Sequence, residues 1–119
     1  MNDKAALREL AEEWNAYLTR HGHTVGVTET GTNVLTSRNG RGTRYRWILR
    51  STARNSILLA KAERKDIRRQ LRLARNAGER AYIVVRFDDP VRKLVVIPAT
   101  EAFNARRVNS VKGGIPWDE

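Results

Sequence analysis

A chain of 119 residues with 40% hydrophobic content is expected to form one domain, long enough for a core without metal or disulfide support. It carries 23 Lys and Arg against 13 Asp and Glu, a formal charge of +10, and no cysteine. That charge points to polyanionic partners, and the missing cysteines exclude a disulfide scaffold and a thiolate zinc site.

The opening MNDKAALREL is charged and helical, without a signal-peptide apolar core, and no apolar run approaches the roughly 20 residues of a membrane span. A cytoplasmic protein with no membrane partner is expected. Leu7, Leu10, Ala11, Trp14 and Leu18 recur at helical spacing, which predicts an amphipathic first helix, capped by Asp3 and stopped at Gly22. HTVGVTE and TNVLTS are short β-branched runs. Asn39-Gly40 behind them predicts a hairpin turn in which both residues take positive φ. The returning strand TRYRWILRS alternates, with Thr43, Tyr45, Trp47 and Leu49 on one face and Arg44, Arg46, Ile48 and Arg50 on the other.

After a loop, STARNS, a helix is expected from about Ala60 to Ala77 with Gly78 as its stop. Its apolar side is Ile67, Leu71 and Ala74; elsewhere it is crowded with Arg64, Arg68, Arg72 and Arg75. AYIVVRF is apolar almost throughout, as a strand covered on both faces should be. Asp89-Pro90 turns the chain, KLVVIP is a further strand, ATEAFNARRV a short helix, and SVKGGIPWDE a tail anchored by Trp117. The expected architecture is one α/β domain over 1–107 with a tail over 108–119. Its element order is α-β-β-β-α-β-β, a central mixed sheet of four or five strands flanked by helices.

That order, with RHGHTVG, NVL, RYRWILRS, the Arg-rich helix ending in ARNAGE and AYIVVRFD, resembles the restriction-endonuclease-like (PD-(D/E)xK) superfamily. Within it, the likeness is to the archaeal Holliday-junction resolvases. The resemblance implies a homodimer that grips branched DNA. It also implies a Mg²⁺ site made of a first-helix Glu, an Asp opening the second strand, and a Glu-x-Lys on the third. Matched residue by residue, the Asp position falls on Asn33 and the Glu-x-Lys on Ile48, Leu49 and Arg50. The first helix offers Glu9, Glu12 or Glu13. Mg²⁺ requires anionic oxygens; Asn33 supplies a neutral one and Ile48 none. Arg50 keeps the lysine's charge but stays protonated, so it binds phosphate and cannot act as a base. Asn33, Ile48 and Arg50 are expected together at one end of the sheet near the first-helix Glu, with neither metal nor other cofactor.

The residues thus read as a surface that holds rather than cuts. Arg38, Arg41, Arg44, Arg46 and Arg50 from the hairpin, and Arg64, Arg68 and Arg72 from the following helix, are expected to form one concave basic face. The expected function is binding of the nucleic-acid backbone, DNA ahead of RNA because no aromatic RNA-binding signature is present. The alternative is an active Mg²⁺-dependent endonuclease of the resolvase type, its site rearranged around a first-helix Glu, Glu29 or Asp88. His21 and His23 read as helix-end histidines rather than metal ligands, and Trp14, Trp47 and Tyr45 as packing residues.

Overall fold

The computed structural model describes residues 4–27, 33–54, 56–88 and 93–109. Asp3, Glu29, the Asp89-Pro90 turn and Trp117 lie outside them. The first helix, α1 (Lys4–Arg20), buries Leu10, Trp14 and Leu18 and ends beside Gly22, whose φ of 84° is the left-handed conformation expected there. Strands β1 (Thr24–Val27), β2 (Val34–Arg38) and β3 (Arg44–Thr52) follow as an antiparallel meander.

The β2–β3 turn differs from the expected two-residue Asn-Gly turn. Arg38 pairs with Arg44, so five residues make the loop, and the positive φ falls at Gly42 (87°) instead of at Asn39 or Gly40. The Asn39 side chain organises this loop: its Oδ1 accepts from the backbone N–H groups of Arg41 (3.0 Å) and Thr43 (2.9 Å). An Asx-type turn thus replaces the left-handed pair.

The segment expected as a loop contains β4 (Ser56–Leu58), which pairs with β7 (Arg107–Asn109) in a separate two-stranded ribbon. Between them come α2 (Lys61–Ala77), β5 (Glu79–Phe87), β6 (Lys93–Pro98) and α3 (Ala99–Ala105). Gly78 ends α2 at a φ of 69°, its N–H directed to the carbonyls of Ala74 and Arg75. Val108 is buried, and regular pairing runs to Asn109, past the boundary expected at 107.

The main sheet has the order β1-β2-β3-β5-β6; β3 and β5 are parallel and the other neighbours antiparallel. β5 therefore lies inside the sheet, which accounts for the apolar run AYIVVRF. Both faces are covered. Against α1, Leu10, Trp14 and Leu18 pack on Leu35, Trp47, Leu49, Val84 and Val96. On the opposite face, Ile67 of α2 and Ala99 and Ala102 of α3 pack on Ile48, Ile83, Val85, Val95 and Ile97. Trp14 meets Trp47 edge-on at 5.3 Å, and Trp47 stacks on Tyr45 and Tyr82 at 5.2 Å each, so these aromatics serve the core. The architecture is the mixed α/β sheet expected. Among the described residues, no helix is long and apolar enough to cross a membrane.

Candidate nucleic-acid interface

The alternation of β3 is as its sequence reads: Tyr45, Trp47 and Leu49 face α1, while Arg46, Ile48 and Arg50 face α2. The consequence for the arginines differs from expectation. Arg50 is only 4% exposed. Its Nε donates to Glu63 Oε1 (3.1 Å), its Nη2 to Asp66 Oδ2 (3.2 Å) and its Nη1 to the Leu49 carbonyl (2.9 Å). Arg46 donates from Nε to Glu79 Oε1 (2.7 Å) and from Nη1 to Gln70 Oε1 (2.9 Å). Both guanidinium groups are committed inside the protein. They hold α2 to the sheet, and a phosphate outside could reach them only by displacing carboxylates. Arg46 and Arg50 are therefore removed from the solvent-facing basic set.

Helical spacing on α2 makes this possible. Glu63, Asp66 and Gln70 lie on the side that carries Ile67 and Ala74 to the sheet, where they meet the alternate arginines of β3. Turning both acids of α2 toward Arg50 changes the charge of its outer side. Lys61, Arg64, Lys65, Arg68, Arg69, Arg72 and Arg75 remain as seven cations, of which only Arg69 also touches Asp66 (3.0 Å). Arg64 is half-buried and the others are exposed. Glu63 and Asp66 are thus turned to the sheet, with Asp66 also reaching Arg69.

Two of these cations are positioned by an aromatic ring that sequence reasoning did not single out. The Arg64 and Arg68 guanidinium carbons stand 4.6 and 5.3 Å from the centroid of Phe103 on α3. Arg64 Nε also donates to the Phe103 carbonyl (3.3 Å). Cation–ring contacts of this kind hold long side chains in place while leaving their outer N–H groups available. No sequence period connects Phe103 to α2; only the return of α3 across the sheet does.

On the hairpin, Arg38, Arg41 and Arg44 are exposed. Arg38 and Arg44 border an open recess with Thr24, Gly26, Thr36 and Glu79, on the side of the sheet that α2 occupies farther along. A second recess, bounded by Arg68, Leu71, Arg72, Arg75 and Glu79, adjoins it. Glu79, ion-paired to Arg46, is common to both. The hairpin and helix cations therefore border neighbouring recesses, with small side chains on the sheet between them. Gly26 keeps that floor low: a Cβ there would stand 3.2 Å from Thr36 Oγ1.

The positions that the resolvase pattern assigns to catalysis do not come together as expected. Ile48 is fully buried in the core beneath α2, beside Arg50. Val34 is the residue that pairs with Ile48, and Asn33 precedes β2, outside the paired ladder. The first-helix acids lie on the α1 side: Glu12 is exposed and Glu13 half-buried, while Glu9 Oε1 accepts from Arg86 Nη1 at 2.6 Å. Asp88 Oδ1 stands 3.5 Å from Arg86 Nε. Two acids considered for a rearranged site thus converge, with a guanidinium between them.

This donor set does not fit a divalent ion. Mg²⁺ needs oxygens without a resident cation among them, and the Arg86 guanidinium stands against both carboxylates. Among the described residues, no group of three or more His, Cys, Asp or Glu could hold a metal. His21 and His23 are engaged elsewhere: His21 Nδ1 is 2.9 Å from the Tyr17 carbonyl, and His23 Nδ1 is 2.9 Å from Ser37 Oγ. Burial, with a smaller contribution from His21, lowers the His23 pKa below its ordinary value.

No protein-family profile matches the chain, and no curated protein does. Among solved structures, it is similar to Hjc, a Holliday junction resolvase from the hyperthermophilic archaeon Archaeoglobus fulgidus. The similarity covers 82% of this chain and 75% of that one, at a TM-score of 0.60 and 17% identity. The chain has the fold of that resolvase, the restriction-endonuclease-like fold that its element order and motifs suggested.

Proposed function

We propose that the protein binds the DNA backbone, branched DNA included, through the outer side of α2 and the adjoining β2–β3 hairpin, and does so without metal-dependent cleavage. The observation that carries this reading is the inward turn of Glu63 and Asp66 onto Arg50, which leaves the outer side of α2 to its cations. Guanidinium groups bind phosphate oxygens bidentately and stay charged at any working pH. Contacts to phosphate position a duplex without reading its bases, so binding discriminates by shape rather than sequence. Arg64 and Arg68, held over Phe103, have less conformational freedom to lose on binding.

The similarity to a junction resolvase favours a DNA ligand with more than one duplex arm. The endonuclease reading is weaker because Glu9 and Asp88 already share a cation in Arg86. The test is a panel of four-way junction, linear duplex, single-stranded DNA and duplex RNA, each measured for binding and cutting, with EDTA and with Mg²⁺ or Mn²⁺. Binding tightest to the junction, without cutting in either metal, supports the proposal. Metal-dependent cutting, or a preference for RNA, rejects it.

A further inference from the structure

The β4–β7 ribbon borders a recess that the α2 and hairpin cations do not line, and strand alternation sets its side chains. Ile57 pairs with Val108, and both pack on the core. Leu58 pairs with Arg107, so these two and Ser56 form the ribbon's outward face. Arg107 Nη1 donates to Ser56 Oγ at 3.1 Å, which holds the guanidinium on that face. Leu58 is 57% exposed, more than any other large apolar side chain described. Arg54, just past β3, borders the same recess, its backbone N–H donating to Thr52 Oγ1 at 3.2 Å. Arg46, Arg50 and Arg86 are ion-paired, whereas Arg54 and Arg107 make no ion pair among the described residues. Glu63 is also at the recess, but Arg50 balances its charge. The space is about 730 Å³, within the roughly 300–1,000 Å³ of small-ligand clefts. An inorganic anion would use the guanidinium groups and hydroxyls and leave Leu58 in water. A phosphate carrying a flat apolar body uses all of them.

We infer that this recess is a nucleotide site, with the phosphate on Arg54 and Arg107 and the base laid over Leu58. Guanidinium groups match phosphate oxygens, and every base has an apolar face to set against a leucine. A base lying there is unpaired, so in a nucleic acid the ligand is a single-stranded end or branch. Helical rise puts Glu63, at this recess, and Arg75, near the hairpin, about 18 Å apart along α2. A strand leaving a duplex held on α2 reaches the recess at that far end. This last step rests on the proposed DNA binding; occupancy by a mononucleotide does not.

The test is an amide nuclear magnetic resonance titration of the full chain with thymidine monophosphate, thymidine and inorganic phosphate, each in EDTA. The nucleotide should give saturable shifts at Ser56, Ile57, Leu58, Arg107 and Val108, about tenfold tighter than phosphate or thymidine alone. Leu58→Ser should weaken the nucleotide about fivefold and leave phosphate unchanged. Arg54→Ala and Arg107→Ala should each weaken both. Arg54 lies outside the ribbon, so Arg54→Ala tests the site even where Arg107→Ala loosens the pairing. Duplex DNA added to the same samples reports on the α2 amides, so failure of the α2 reading is seen separately from failure of this site. Ribbon shifts that are absent, equal for nucleotide and phosphate, or unchanged in Arg54→Ala overturn the inference.

Discussion

Arg50 in β3 and Asp66 in α2 meet at 3.2 Å across the helix–sheet interface, and with Glu63 at 3.1 Å they form an ion cluster whose cation is the buried partner. The Arg50 side chain is 5% exposed, against 29% and 27% for the two acids. This asymmetry decides which substitution is worse. Glu63→Gln with Asp66→Asn leaves a buried guanidinium without a counter-charge and is expected to cost about 3–5 kcal/mol. Arg50→Met leaves carboxylates that water can reach, and costs less. Urea denaturation of both variants checks the order; equal losses would mean that the cluster acts as generic packing.

Phe103 gives a separate handle on binding. Phe103→Leu keeps every charge of α2 but removes the ring beneath Arg64 and Arg68. Losing cation–ring interaction worth about 0.5–1 kcal/mol per exposed pair should weaken DNA affinity by roughly two- to fivefold. The salt dependence should stay as in the wild type, since no charge is removed. A change in that dependence, measured by fluorescence anisotropy over a salt series, would show that Phe103 does more than position the two side chains.

His23 ties stability to mild acid. Ser37 Oγ accepts from Trp47 Nε1 at 2.8 Å and lies 2.9 Å from His23 Nδ1, so a neutral imidazole accepting the Ser37 hydroxyl completes the chain of bonds. The folded pKa is lowered from 6.5, chiefly by burial. Below 6.5 the unfolded chain takes up a proton that the folded chain still refuses, so the unfolded state binds more protons and stability falls as the pH falls. The fall begins near 6.5 and ends once the folded His23 also protonates. It amounts to at most about 1.4 kcal/mol per pH unit across that window. Urea midpoints at pH 7.5 and 5.5 should drop more for the wild type than for His23→Gln; equal drops would place the effect elsewhere.

The sequence makes the order of elements and the two faces of β3 legible, because strand alternation and apolar spacing are local properties. The partnership of those faces is not local. Nothing within RYRWILRS says that Arg46 and Arg50 will meet Gln70, Glu63 and Asp66 rather than solvent. The signal was available in α2 as polar residues on the Ile67–Ala74 side of the helix, where an amphipathic helix should be apolar. Motif matching alone also placed Asn33 with Ile48, whereas the residue that pairs with Ile48 is Val34 and Asn33 precedes the strand. The three-residue strands β4 and β7 are too short to show a period at all.

The most direct test of the central claim is the salt dependence of four-way-junction binding in EDTA, for the wild type and for Arg68→Ala/Arg72→Ala. If the α2 surface and hairpin neutralise about five phosphates, the slope of log K against log salt is near −4 to −5. Removing two exposed guanidinium groups should make it shallower by about two units, with affinity falling alike for every DNA sequence. Replacing EDTA with Mg²⁺ at matched ionic strength should change neither slope. An unchanged slope in a folded Arg68→Ala/Arg72→Ala variant, or wild-type binding that disappears in EDTA, would contradict the account.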